Sequence, residues 1–260
     1  VAGSLLRSGY DGAAPCACDA TDVALNCDAD AGSPSRPPVA EVVSQLRARR
    51  LPFVVVPRFW NASRAAAARV EVRRALTDCH EINEDGGDRR RLGLDAQPHN
   101  FPLAADFGAD PYLRAVAKAF LQPASFNTKV QAGLTRPGES SGGGWHRDTR
   151  ARGIKALLYL DDVGPRDGPF AMLLGYDERT LQHAPDPLGK GRVTRYNDSA
   201  IAEQVRRHGA TVQPVHAEAG ALILFEISSV HRGTPCERGE RAVLTNYYKV
   251  RRPSTVCPAR

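Results

Sequence analysis

Beyond residue 123 the chain breaks into short β-branched and aliphatic runs, each bounded by Gly, Pro or Asp. They occupy residues 124–134, 154–163, 168–175, 210–217, 220–227 and 241–250, and only 199–209 interrupts them with helical spacing. Runs this short, separated by turn residues, predict strands rather than amphipathic helices. Ahead of residue 123 the pattern differs. Residues 39–50, 62–79 and 110–121 carry apolar side chains at helical spacing, the last with Asp110 as its cap, and 51–57 is a short strand closed by Pro57. With 23 Gly and 19 Pro, a helical bundle is disfavoured. Helices first and many short strands after predict a mainly β fold with flanking helices. Its core is expected to be a double-stranded β-helix of the jelly-roll or cupin kind.

At 260 residues the chain can bury a sizeable core. Residues 1–38 are rich in Ala, Gly, Asp, Ser and Pro and end in Ser-Pro-Ser-Arg-Pro-Pro, so they read as an N-terminal stem or arm. Residues 39–260 then form the folded domain. Cys16, Cys18, Cys27, Cys79, Cys236 and Cys257 make an even set without a C-x-x-C pair. Two N-x-S/T sequons start at Asn61 and Asn197. Together these favour a disulfide-bonded glycoprotein of the secretory pathway, in the endoplasmic reticulum or Golgi lumen or secreted. The chain begins at Val1 and has no apolar run of bilayer length, so a removed signal peptide or anchor is expected and a transmembrane segment is not. Cys236 lies five residues after His231, and a bridge from it to Cys257 or to the N-terminal arm would brace the site. The net charge of +6 is spread among acidic residues, so no nucleic-acid stripe forms. Basic stretches such as Asp-Arg-Arg-Arg-Leu-Gly, residues 88–93, read as solvated faces with a weak attraction for an anionic substrate.

Two H-x-[DE] triplets occur, His146-Arg147-Asp148 and His216-Ala217-Glu218. Chance alone supplies about one in a chain like this, so context must rank them. The first lies between a glycine run, residues 142–144, and an apolar strand. On an extended backbone residues i and i+2 point to one side, so His146 and Asp148 can reach one ion while Arg147 points away. His231, where an apolar strand gives way to a Gly-containing turn, supplies a third ligand. Two imidazoles and a carboxylate on one face of an octahedron suit non-haem Fe(II). Arg241 opens the next strand, and an antiparallel return would carry its guanidinium back beside the metal. There it could grip a dicarboxylate whose other end chelates the iron. His216 and Glu218 lack a third ligand and read as a strand end or surface turn. His80, His99, His183 and His208 read as surface or packing residues. Residues 139–144, Glu-Ser-Ser-Gly-Gly-Gly, fit either a mobile lid or a plain hairpin loop.

The segments Trp-His-Arg-Asp-Thr at 145–149, Leu-Tyr-Leu-Asp-Asp-Val at 158–163 and Arg-Ala-Val-Leu-Thr-Asn-Tyr-Tyr at 241–248 resemble the phytanoyl-CoA dioxygenase-like family of Fe(II)/2-oxoglutarate oxygenases. The likeness spans residues 50 to 250. It implies His146, Asp148 and His231 as catalytic iron ligands and Arg241 as the grip on the distal carboxylate of 2-oxoglutarate. It also implies Lys129, Gln131, Thr234 and Tyr159 as further cosubstrate contacts, and Arg136 and Trp145 as substrate contacts. The implied reaction consumes O2 and 2-oxoglutarate, hydroxylates an organic substrate and releases succinate and CO2, with ascorbate as a candidate reductant. Family halogenases lack the carboxylate that Asp148 keeps, so hydroxylation or desaturation is preferred. Residues 173–177, Leu-Leu-Gly-Tyr-Asp, depart from the family's Pro-Gly-Ser-His segment, which argues against a standard acyl-CoA or small-metabolite substrate.

A kinase catalytic loop is excluded: position 153, five past Asp148, is Gly rather than Asn, and no Asp-Phe-Gly follows. Collagen-type prolyl hydroxylases share the ligand order but usually place Lys where Arg241 stands. A catalytically silent binding module on the same fold is the remaining alternative, and it gives no reason for keeping His146, Asp148, His231 and Arg241 together. The substrate class stays open among a glycan, a secreted polypeptide and a lipid.

Overall fold

The computed structural model of the protein describes residues 36–48, 51–78, 80–82, 87–122, 126–184 and 194–250. Nearly all of the expected arm and every cysteine except Cys236 lie outside the described residues, as does any partner for the expected bridge. The first half contains α1 (Val39–Arg47), β1 (Phe53–Val56), α2 (Ala62–Asp78), β2 (Glu81–Ile82), β3 (Arg89–Leu92), α3 (Pro102–Ala109) and α4 (Pro111–Leu121). Strands then dominate: β4 (Phe126–Asn127), β5 (Val130–Thr135), β6 (Trp145–His146), β7 (Gly153–Tyr159), β8 (Phe170–Leu174) and β9 (Arg195–Tyr196). After α5 (Asp198–His208) come β10 (Thr211–Val215), β11 (Leu222–Glu226), β12 (His231–Gly233) and β13 (Arg241–Val250). Among the described residues no helix is long and apolar enough to cross a membrane.

The strands form two antiparallel sheets. One has eight strands in the order β1-β11-β7-β13-β5-β3-β2, with β4 paired to the end of β13. The other has five, in the order β10-β8-β12-β6-β9. This is the jelly-roll arrangement that the alternation of short strands predicts.

Three apolar layers hold it together. The helices pack on the outer face of the larger sheet through Val42, Leu46, Val72, Leu76, Phe107 and Phe120 against Val130, Ala132, Leu158, Leu224 and Leu244. Between the sheets, Leu157, Tyr159, Ile223, Phe225 and Val243 meet Phe170, Met172 and Val215. Trp145, Leu173, Tyr196 and Ile201 form a third cluster under α5 on the outer face of the smaller sheet. Apart from Lys155 and the terminal Glu226, strands β7 and β11 are apolar on both faces because both faces are covered.

Helix ends follow the local chemistry. Asp110 Oδ1 accepts from the Leu113 amide at 3.1 Å, capping α4 as expected. Helix α3 begins at Pro102 with no side-chain cap of its own. Instead the buried Glu71 of α2 accepts from the Leu103 and Ala104 amides at 3.0 and 2.9 Å. With the cap borrowed from a residue so distant in sequence, Pro102 at the first helical position is the local mark of this helix.

Candidate metal centre

His146 and His231 are cross-strand partners, in register between β6 and β12 in the smaller sheet. Both side chains therefore stand on the inner face, between the two sheets. Asp148 follows His146 by two positions. Its backbone amide donates to Ile227 O at 3.1 Å, in the crossing segment that leads to His231. His146 Nε2 lies 3.4 Å from Asp148 Oδ1, and His231 Nε2 lies 3.8 Å from Asp148 Oδ2. One ligand atom from each of the three falls within 4.8 Å of the others.

The imidazoles are held for ligation. His146 Nδ1 lies 2.8 Å from Gly144 O and His231 Nδ1 lies 2.9 Å from Ser229 O. A carbonyl oxygen only accepts, so Nδ1 carries the proton in each ring and the Nε2 lone pair faces the other ligands. His231 Nε2 and Asp148 Oδ2 are buried and have no hydrogen-bond partner. Unpaired acceptors pointing at one another are costly, and a divalent cation resolves all of them at once.

The electrostatics agree. Burial, helped by His146 beside it, pushes the His231 pKa down to about 3. Burial alone would raise Asp148, but Lys155, His146 and His231 outweigh it and hold the carboxyl well below the usual range. His231 is thus a neutral imidazole beside an ionised Asp148 carboxylate.

The chain crosses between sheets in a way the sequence did not predict. The apolar strand β11 ends at Glu226, and His231 opens the separate strand β12 after a turn rather than terminating β11. Arg241 likewise does not return beside β12. It opens β13 in the larger sheet, opposite Thr135, and approaches the cleft from the facing wall. The guanidinium is 2 % exposed, donates from Nη2 to Thr135 Oγ1 at 3.1 Å, and has no carboxylate in ion-pair contact among the described residues. Its Nε is buried without a partner, and burial pushes its pKa below the usual arginine range. A buried, unpaired guanidinium is a binding site for an anion.

Other expected contacts divide. Gln131 lines the cleft. Lys129 is exposed, and it precedes β5 beyond the cleft lining. Thr234 spends its hydroxyl on Pro169 O at 2.9 Å. Tyr159 Oη accepts from the Phe170 amide at 2.8 Å and donates to Val215 O at 3.1 Å, so it ties the sheets together, and burial pushes its pKa up to about 12. Arg136 Nε donates to Glu240 Oε1 at 3.1 Å, away from the cleft. Trp145 faces outward beneath Arg232, as alternation with His146 demands. Arg147 also turns from the ligands, donating to Tyr176 Oη at 3.1 Å and pairing with Glu178. His216 and Glu218 are exposed and take no part in the metal group.

The loop at 139–144 is tied down: Cys236 N donates to Glu139 O at 2.9 Å, Gly233 N donates to Ser141 O at 3.2 Å, and Arg195 Nη1 donates to Gly143 O at 3.0 Å. Its glycines are required. A Cβ on Gly142, whose φ is +81°, would collide with the His146 ring. Residues 173–177 do not line the cleft.

Four cleft residues carried no sequence signal that singled them out. Lys155 Nζ lies 3.6 Å from Asp148 Oδ2 and 4.4 Å from the Tyr247 ring centroid. Burial would lower its pKa, but Asp148 and Tyr247 keep it above the usual lysine value. Arg90 and Asp88 form a paired fork at 2.8 and 3.2 Å on the rim. Lys155 is the one charge in an apolar run, and that interruption was the available clue.

No family model matches the chain and no curated protein sequence matches it. Solved structures do. A prolyl-4-hydroxylase from Pseudomonas putida is 20 % identical with a TM-score of 0.57, covering 82 % of this chain and 100 % of that one. The epimerase SnoN, in complex with Fe3+, alpha-ketoglutarate and nogalamycin RO, is 18 % identical with a TM-score of 0.61, covering 84 % and 87 %. HygX from Streptomyces hygroscopicus, with nickel and 2-oxoglutarate bound, is 18 % identical with a TM-score of 0.55, covering 83 % and 87 %. This chain therefore has the jelly-roll fold of the 2-oxoglutarate-dependent oxygenases, with a His-Asp-His group that could hold a metal ion in its cleft.

Proposed function

We propose that the protein is an Fe(II)- and 2-oxoglutarate-dependent dioxygenase that hydroxylates an organic substrate. The observation that carries this reading is the convergence of His146, Asp148 and His231 within 4.8 Å of one another, with His231 Nε2 and Asp148 Oδ2 buried and lacking a hydrogen-bond partner. Three protein ligands of this kind leave positions free for a chelating cosubstrate, which is the ligand set of non-haem Fe(II) oxygenases. The unpaired guanidinium of Arg241, with the Thr135 hydroxyl beside it, supports 2-oxoglutarate as that cosubstrate, its distal carboxylate held at this end of the cleft. Gln131, on the same face of β5, is a second contact. Iron and 2-oxoglutarate, when bound, supply the O2-dependent oxidation, with succinate and CO2 as products. The chain's own part is to fix the ligands through the Gly144 and Ser229 carbonyls, to grip the carboxylate, and to keep water from the cleft with Leu157, Phe170 and Phe225.

Desaturation is the variant chemistry for the same ligand set. We further propose that the enzyme works in the secretory lumen. The sequons support this: Asn197 is exposed at the start of α5. The even set of cysteines supports disulfides there, and ascorbate is the reductant proposed.

The test is succinate release on mixing the full chain with Fe(II), 2-oxoglutarate, O2 and ascorbate. Substrate-independent turnover that disappears in Asp148→Ala is expected. Absence of both metal binding and succinate would instead leave the silent binding module.

A further inference from the structure

The cleft is cationic at two ends, and 2-oxoglutarate can satisfy only one of them. Arg241 and Tyr247 both face the cleft from β13, six positions apart (247 − 241), or about 20 Å of extended strand. Arg241 marks one end. At the other, Tyr247 is in register with Lys155 of β7, whose ammonium lies 3.6 Å from Asp148 Oδ2 and over the Tyr247 ring. Arg90 of β3 enters between these ends, in the row of Val243, and also lines the adjoining opening with His146 and Asp148. It stands opposite Gly133 of β5, which stands opposite Val243 of β13, and a Val243 methyl packs against the face that Gly133 leaves bare. Asp88 holds the Arg90 guanidinium with two hydrogen bonds and keeps it at the rim.

A charge count shows what is missing. Three cations line the cleft, Arg90, Lys155 and Arg241, against two carboxylates, Asp88 and Asp148, a surplus of one positive charge (3 − 2). A divalent metal and a 2-oxoglutarate dianion cancel each other and leave that surplus unchanged. Asp88 already answers Arg90, and the cosubstrate answers Arg241. The metal claims Asp148, so Lys155 is left without its counter-ion in a largely enclosed site, where an unbalanced ammonium is costly.

We propose that Lys155, with Arg90 and the Tyr247 hydroxyl beside it, binds an anionic group of the substrate, a carboxylate or a phosphate, on the side of the metal remote from Arg241. The inference rests on the oxygenase reading and sharpens it to a substrate class. It gives the enzyme two anion sites of different duty: one for the cosubstrate and one that sets the reacting carbon against the metal.

The test uses the full chain loaded with Mn(II) and saturated with 2-oxoglutarate, with benzoate, phenyl phosphate and uncharged benzamide as probes. Line broadening of each probe's proton signals by the paramagnetic ion reports binding beside the metal. Benzoate or phenyl phosphate should bind about tenfold or more tightly than benzamide, the worth of one charge-assisted hydrogen bond. Which of the two anions broadens more decides between carboxylate and phosphate. Lys155→Met should erase the preference, and Lys155→Arg should retain most of it. Equal broadening by all three probes in the loaded wild-type protein, a comparison that needs no variant, overturns the inference. Failure of the wild-type chain to take up Mn(II) and 2-oxoglutarate would overturn the oxygenase reading itself, so the two failures are distinct.

Discussion

The rings of His146 and His231 sit 4.5 Å apart, centroid to centroid, as directly opposed residues of β6 and β12. Two charged imidazoles this close would repel, and burial with His146 beside it holds His231 neutral, while an Nδ1–H bond to a carbonyl fixes the orientation of each ring. Their spacing is set by strand pairing rather than by loop conformation, so the ligand pair belongs to the rigid part of the fold. The smaller sheet thus fixes the candidate metal position.

Removing a ligand should separate folding from metal binding. His146→Ala and Asp148→Ala are expected to abolish succinate formation and weaken Mn(II) binding beyond the range of calorimetry. The protein should keep its circular-dichroism spectrum, because each change leaves backbone pairing intact. Wild-type-like turnover in either variant would contradict the ligand assignment.

Arg241→Met gives an opposite pair of effects. It removes a buried guanidinium that has no counter-ion among the described residues, so the melting temperature of the ligand-free protein should hold or rise. Thermal stabilisation by 2-oxoglutarate should vanish, and KM for it should rise roughly 30-fold or more. A lower melting temperature with an unchanged KM would assign Arg241 a structural duty instead.

Much of this was legible in the sequence because strands have a strict period. Alternation sends His146 inward and Trp145 outward on β6, and Asp148, in the bend just past the strand, still falls on the side of His146 while Arg147 turns to the other. Other features hid for equally physical reasons. Residues 88–93 look like a solvated charged run, yet β3 splits its arginines. Arg90 faces the cleft, while the buried Arg91 donates to Ala75 O of α2 at 3.0 Å. Membership of a sheet, invisible locally, turns a charged run into two different environments. The exposure of Lys129 had the converse cause: it has the alternation of Gln131 but lies one step beyond the strand's end. The switch of sheets between Glu226 and His231 depends on long-range pairing that no local run encodes.

Stability of the metal-free protein should fall with acid below neutral pH. His231 has a folded pKa of about 3 against an ordinary value of 6.5, so the unfolded chain binds the extra proton first. Its contribution is fully present above pH 6.5 and is lost as pH falls towards 3. Between pH 8 and pH 5 this amounts to about 2 kcal/mol. The depressed Asp148 carboxyl acts in the same direction at lower pH. Urea denaturation across this range checks it, with His231→Gln as comparison: the variant should show a shallower pH slope, and an identical slope would remove His231 as the cause.

Two glycines allow backbone strain to be separated from ligand displacement. Gly142 and Gly144 have φ of +81° and +86°, so an alanine at either pays a similar conformational cost of about 1 kcal/mol. Only at Gly142 does the added methyl strike the His146 ring; at Gly144 it meets nothing within 4 Å. Gly144→Ala also keeps the carbonyl that orients His146. Both variants should therefore melt at similarly lowered temperatures, while Gly142→Ala alone should lose about tenfold or more in Mn(II) affinity. Equal metal affinity in the two would show that the His146 ring moves aside freely, and that the glycine run serves the turn rather than the ligand.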